Sequence, residues 1–213
     1  MRGRFITLEG IEGVGKTTQV VTVRATLEAL GRPFVTTREP GGTPLAEAIR
    51  ALVLAPREEA VPGSAELLLM FASRAVHVAN LIQPTLDAGS DVVCDRFTDA
   101  TYAYQGGGRG VPVEQVAALE VITHGGLQPD LTLLLDAPPA LALQRARQRS
   151  AADRFEAETL AFFERVRAAY LARAAAEPDR FVIVDATQPL AEVSAAVAKA
   201  VTEAVTRFKV PSP

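Results

Sequence analysis

The stretch "FITLEGIEGVGKTTQ" (5–19) constrains the fold of this chain more than any other. A short apolar run is followed by a turn spaced Gly10-x-x-x-x-Gly15-Lys16-Thr17, and then by a helix-compatible segment. Glycines at these positions let backbone N–H groups turn inward around phosphate oxygens, and a helix start adds partial positive charge. A lysine in the position of Lys16 reaches the β- and γ-phosphates of a nucleoside triphosphate, and a hydroxyl in that of Thr17 ligates magnesium. The expected triphosphate site is therefore Gly10, Ile11, Glu12, Gly13, Val14, Gly15, Lys16 and Thr17. A dinucleotide fingerprint does not fit, because Gly13-Val14-Gly15 is followed by Lys-Thr-Thr and lacks its third glycine. A switch GTPase would need a guanine-reading N/T-K-x-D segment, and neither Lys199 nor Lys209, the only other lysines, stands in one.

The rest of the chain repeats the strand-then-helix order. Strands are predicted at 4–9, 32–37, 90–95, 129–136 and 180–185, several of them apolar runs ending on an acidic residue. Helices are predicted at 15–30, 43–54, 64–88, 112–124, 138–149, 155–177 and 189–208. Near-continuous apolar strands alternating with helices indicate a parallel sheet covered on both faces, a three-layer α/β/α domain. That domain is expected over 1–208, with a loose tail at 209–213 carrying two prolines. With 48% hydrophobic and 22% charged residues, the 213-residue chain should fold rather than stay disordered. A net charge of −3 argues against a general nucleic-acid binder. The single cysteine, Cys94, excludes an internal disulfide framework. No apolar stretch reads as the roughly 18 residues that cross a bilayer, and the first residues do not read as a secretory signal, so no membrane partner and a cytoplasmic location are expected.

In such sheets ligands bind outside the carboxyl ends of the strands, which directs attention to Glu9, Arg38, Glu39, Asp95, Arg96 and Asp136. Phosphoryl transfer spreads negative charge over the migrating group, and the phosphate loop holds no second cation among Ile11, Glu12, Gly13 and Val14. That cation must come from elsewhere. In "DRFTDATYAYQGGGRG" (95–110), Asp95 is placed to hold a metal and Arg96 to grip a phosphate. If 98–105 is helical, Thr101 and Gln105 are i,i+4 neighbours with Tyr104 close by, a set able to read a base edge and a sugar. The same residues also read as a surface helix after an ordinary Asp–Arg strand end. Within 64–88, Met70 and Phe71 share a face with Arg74, either to sandwich a flat base or simply to pack the core.

Together these segments resemble the bacterial thymidylate kinases over nearly the full chain. The resemblance rests on "EGIEGVGKTT", "REPGGT" (38–43), "FASR" (71–74), "DRFTDATYAYQGGGRG", "PDLTLLLD" and "DRFE" (153–156). It implies a P-loop nucleoside monophosphate kinase fold on a five-stranded parallel sheet, transfer of the γ-phosphate of ATP to dTMP, a requirement for Mg²⁺, and a homodimer. Position by position it implies that Arg38 and Arg96 face the acceptor phosphate, assisted by Arg50, with Glu12 and Asp95 near the sugar and metal. It further implies that Arg74 meets a thymine carbonyl, that Thr101 and Gln105 read the base, that Tyr104 crowds the sugar, and that Pro40 closes the pocket. Family members often have phenylalanine four residues before the arginine. Here that residue is Met70, so Met70 is the expected stacking contact, with Phe71 as the alternative. The resemblance also makes 144–156 a lid whose arginines, foremost Arg149 and Arg154, supply the cation that the phosphate loop lacks.

Two other functions share parts of this pattern. A deoxynucleoside kinase would phosphorylate a sugar hydroxyl, but Arg38, Arg50 and Arg96 offer more positive charge than a neutral acceptor needs. A non-catalytic nucleotide-binding switch would bind or hydrolyse ATP without consuming dTMP.

Overall fold

In the computed structural model, residues 2–56, 58–147, 155 and 158–206 are described. Five strands, β1 (Phe5–Glu9), β2 (Phe34–Arg38), β3 (Asp91–Asp95), β4 (Leu131–Asp136) and β5 (Phe181–Asp185), form one sheet in the order β2-β3-β1-β4-β5. Every neighbouring pair is parallel. The chain leaves central β1 to one side for β2 and β3, and fills the other side with β4 and β5. A crevice therefore opens where β1 ends. Register aligns the functional ends, with Leu8 opposite Asp95, Glu9 opposite Leu134 and Arg38 opposite Asp95.

The helices are α1 (Lys16–Ala29), α2 (Pro44–Leu54), α3 (Gly63–Asp87), α4 (Thr98–Thr101), α5 (Val113–His124), α6 (Pro139–Arg147), α7 (Leu160–Ala176) and α8 (Leu190–Thr206). Because strand side chains alternate between faces, Phe5, Val92 and Cys94 pack with Ile82, Leu86 and Phe97. Ile6, Leu8 and Val93 join the larger cluster with Val23, Leu27, Phe163, Val197 and Val201. These two packed faces are the outer layers of the sandwich that the sequence pattern predicts.

The structure revises several boundaries. Helix α3 is α-helical over Gly63–His77, widens to a π-helical turn over Val78–Ile82 and closes as α-helix over Gln83–Asp87. The stretch after α4 is also π-helical, over Tyr102–Gly108, not a plain α-helix to residue 105. Helix α7 begins at Leu160 rather than 155, because the Thr159 hydroxyl caps the Phe162 N–H at 3.3 Å. By length and composition alone, α3 is long and apolar enough to cross a membrane, a test that buried helices of folded domains also pass. It packs inside the fold instead, with Glu66, Arg74 and His77 buried. Residues 209–213 of the expected tail lie outside the described residues.

A buried ion network ties α4 to α7 and to the start of β5. Asp99, 1% exposed, accepts from Arg173 Nε at 3.0 Å and from Arg180 Nη1 and Nη2 at 2.7 and 2.9 Å. Removing the buried carboxylate leaves Arg173 and Arg180 to share the single charge of Glu177. Asp99→Ala is expected to destabilise the fold by about 3 kcal/mol, read as a lower urea midpoint at unchanged slope.

Candidate active site

The phosphate loop follows directly from β1. Gly10, Gly13 and Gly15 have φ of 128°, 78° and 97°, the left-handed region that glycine adopts without strain. At Gly10 a Cβ would run into the Leu135 carbonyl, and at Gly13 into that of Ala142, so the loop lies tight against β4 and α6. Helix α1 starts at Lys16, which presents its N-terminal N–H groups to the loop. Lys16 Nζ donates to the carbonyls of Gly10 and Ile11 at 3.0 and 2.9 Å. Burial, with Arg96 adding repulsion, pushes this ammonium down to about 8. Thr17 is exposed beside it.

Arg96 faces the same loop. It has φ 72°, strain that costs a non-glycine residue roughly 1–3 kcal/mol and is tolerated where the surroundings over-determine it. Nη1 donates to the Gly10 carbonyl at 2.9 Å and to Tyr170 Oη at 3.1 Å. Nη2 donates to Glu12 Oε1 at 2.7 Å and to Tyr104 Oη at 3.1 Å. Burial works against the guanidinium charge, but Tyr104, Glu12, Tyr170 and Asp95 more than offset it and hold its pKa well above the ordinary value. Tyr104 in turn donates to Glu12 Oε2 at 2.6 Å.

Glu12, Pro40, Arg50, Met70, Arg96 and Tyr104 line one cavity, together with Glu39, Leu54, Ala100 and Phe155. Arg50 is anchored on the Pro40 carbonyl at 2.8 Å. Met70, not Phe71, faces this space. Phe71 is buried with Leu67, Tyr102 and Val116, beneath the Arg74 guanidinium at 4.8 Å. Arg74, Thr101 and Gln105 are not in the lining of this cavity and are 3%, 1% and 0% exposed. Arg74 is fixed by Glu39 Oε2 at 2.7 Å and by the Phe97 carbonyl at 3.2 Å, and Gln105 Nε2 donates to Glu66 at 2.8 Å. Yet Arg74 Nη1, Thr101 Oγ1 and Gln105 Oε1 are buried with no protein partner. Buried polar atoms are seldom left so. His77 shares hydrogen bonds with Glu39 and Thr37 at 2.9 and 2.8 Å, a packed role rather than a reactive one.

Arg38 pairs with Glu47 at 2.9 Å and lines a neighbouring cavity with Thr17, Thr37 and Asp95. It ends β2 opposite Asp95, the residue before Arg96. In that second cavity Asp95 Oδ1 is buried without a partner. A free carboxylate oxygen sharing a cavity with the Thr17 hydroxyl fits a magnesium ion, which takes few protein ligands and completes its shell with phosphate and water.

A third cavity behind the phosphate loop is lined by Gly13, Gly15, Thr18, Gln19, Arg145 and Gln188, among others. Arg145 is anchored on the Ala186 carbonyl at 2.8 Å. Sequence reasoning placed Arg145 only among the lid arginines and missed Gln19 and Gln188 altogether. The turn after β5, at the same carboxyl edge as the other strand ends, was the available signal. Arg149 and Arg154, with most of the segment 144–156, lie outside the described residues.

Residues 8–197 match the family model for thymidylate kinase. A thymidylate kinase from Hahella chejuensis is 55% identical over 93% of this chain and 95% of its own length. One from Pseudomonas entomophila is 58% identical over 92% and 94%. The crystal structure of thymidylate kinase from Ehrlichia chaffeensis superposes with a TM-score of 0.71 at 32% identity, covering 86% of this chain and 93% of that one. With the phosphate loop, the arginine beside it and the neighbouring cavities in place, these matches establish that the chain belongs to the thymidylate kinase family.

Proposed function

We propose that ATP lies along the phosphate loop and dTMP in the cavity lined by Met70 and Tyr104, so that their phosphates meet between Lys16 and Arg96. The chain is an ATP-dependent dTMP kinase: it transfers the γ-phosphate of ATP to dTMP, giving ADP and dTDP for dTTP synthesis. The observation that carries our placement is the Gly10 carbonyl, which accepts from both Lys16 and Arg96 and so brings one cation of each substrate to a single atom.

In this reading, backbone N–H groups of residues 10–17 and Lys16 hold the donor phosphates, and Arg96 holds the acceptor phosphate where the new bond forms. Arg50 supports it from the same cavity, while Arg38 reaches the phosphates from beside Thr17 and Asp95. Thr17 and Asp95 would hold Mg²⁺, which when bound neutralises charge on the transferring phosphate. The acceptor is already an anion at neutral pH, so positioning and charge matter more than a general base. The unpartnered Arg74 Nη1, Thr101 Oγ1 and Gln105 Oε1 supply one donor, one hydroxyl and one acceptor for the edge of a thymine. Tyr104, hydrogen-bonded to Glu12, stands where a 2′-hydroxyl would be crowded. Arg145, Gln19 and Gln188 offer the adenine a cavity behind the loop. Arg149 and Arg154 remain our candidates for a further cation.

We also place the enzyme in the cytoplasm as a single-domain homodimer. Leu45, Leu52 and Leu68 are 55–58% exposed on the adjoining helices α2 and α3 and support such a contact. A coupled ADP-release assay with ATP–Mg²⁺ across dTMP, dUMP, AMP, GMP, CMP and thymidine tests the function. Turnover should be highest with dTMP, and faster turnover of thymidine would refute the acceptor site.

The stacking residue makes a separate prediction. Met70→Ala removes a cavity wall and should raise the dTMP KM roughly 5- to 30-fold, equivalent to about 1–2 kcal/mol, with little change in thermal midpoint. Phe71→Ala instead empties the core and should cost about 3–5 kcal/mol of stability. A larger KM effect from Phe71→Ala in folded protein would reverse the assignment.

A further inference from the structure

We infer that Glu9 is a positioning residue which, through Tyr170, aims the Arg96 guanidinium and pins its backbone. The inference rests on the placement of Arg96 at the acceptor phosphate. Glu9 ends β1, is 0% exposed and directly precedes the phosphate loop. A fully buried carboxylate is costly unless its oxygens are satisfied, and burial, aided by Asp99, pushes this one up to about 8. Both of its oxygens are engaged, and both lead to Arg96. Oε1 accepts the N–H of Phe97 at 2.7 Å, fixing the peptide directly after the strained arginine. Oε2 accepts the hydroxyl of Tyr170 at 2.7 Å.

The direction of donation gives this chain its effect. A guanidinium can only donate, so the Tyr170 phenol oxygen accepts from Arg96 Nη1 at 3.1 Å and directs its own proton to Glu9 Oε2. The same construction recurs on the other side, where Nη2 donates to Tyr104 and Tyr104 donates to Glu12. Two tyrosine–carboxylate pairs thus grip the two ends of one guanidinium. Tyr104 and Glu12 line the acceptor cavity and can touch substrate. Tyr170, 1% exposed, and Glu9 are buried, so they act on turnover through the groups they hold, and the Arg96→Met background isolates the part that runs through Arg96. A rigidly oriented arginine suits a step in which small misplacements of a cation are expensive.

Tyr170→Phe removes one hydroxyl and keeps the ring in the core. It should lower kcat with dTMP roughly 10- to 100-fold while leaving the ATP KM and the thermal midpoint close to wild type. In an Arg96→Met background the same change should cost nothing further. Losses that multiply in the double variant, or a Tyr170→Phe enzyme with wild-type kcat, would overturn the inference. Should Tyr170→Phe lower the midpoint, Glu9→Gln gives the second reading: it keeps an acceptor for Phe97 but turns an amide donor toward Tyr170. Its kcat loss should also vanish in the Arg96→Met background, and persistence there refutes the role. If Arg96→Met alone keeps wild-type turnover, the placement of Arg96 is what has failed.

Discussion

Arg96→Met is expected to lower kcat with dTMP by roughly 10² to 10³-fold, the usual cost of removing one preorganised charge from a transition state. The methionine keeps a long apolar stem, so the fold around Phe97 and Tyr104 loses little packing. The guanidinium, however, serves four acceptors: the Gly10 carbonyl, Tyr170, Glu12 and Tyr104. Without it the Glu12 carboxylate faces the incoming phosphate uncompensated, and the dTMP KM should rise as well. Arg96→Lys should not restore activity, because an ammonium is a single point charge with three donors and cannot reproduce a planar fork held at both ends. Steady-state kinetics in both substrates with a folded, dimensionally unchanged variant check this. Near wild-type kcat for either variant would remove Arg96 from the chemistry.

The sheet was legible in the sequence because its inner strands are buried on both faces, so β1, β3 and β4 read as nearly unbroken apolar runs. What escaped were features that no residue pattern marks. The π-helical turns at Val78–Ile82 and Tyr102–Gly108 leave the hydrophobic periodicity nearly intact while shifting which side chains share a face. In the second of these, Tyr104 turns toward Glu12 and Arg96, while Gln105 turns toward Glu66. Helix α3 meets the length and composition of a membrane span, yet its Arg74 is paired with Glu39 inside the fold.

At the site, legibility followed distance along the chain. Lys16 and Thr17 are fixed by a local motif, and Asp95 and Arg96 by their position at a strand end. Which cation lines which cavity depends on strand order, so the place of Arg38 opposite Asp95 became visible only with β2 paired to β3. Glu9 and Tyr170 meet across 161 residues, and no motif links a glutamate before a phosphate loop to a tyrosine in α7. The family resemblance supplied Arg74, Thr101 and Gln105 as the trio we propose for reading thymine. The structure adds a physical reason for it, three buried polar atoms that the protein itself leaves unmatched.

Lys16→Met should abolish most of the remaining chemistry, lowering kcat by about 10³-fold, and it should do so without weakening the fold. Lys16 is 9% exposed, and its ammonium is pushed down to about 8 by burial and by Arg96. A charge held in such a place destabilises the protein that carries it, and phosphate oxygens are what compensate it. Methionine has nearly the same length, satisfies the apolar surroundings and relieves the repulsion on Arg96. The Gly10 carbonyl keeps Arg96 as a donor, and only the Ile11 carbonyl loses its partner. The thermal midpoint of Lys16→Met without nucleotide should therefore equal or exceed that of the wild type, while ATP raises it less than it raises the wild type. Function and stability would then move in opposite directions at one side chain, as expected where a binding site stores unfavourable electrostatics for its ligand. A midpoint that falls together with kcat would instead assign Lys16 to the fold.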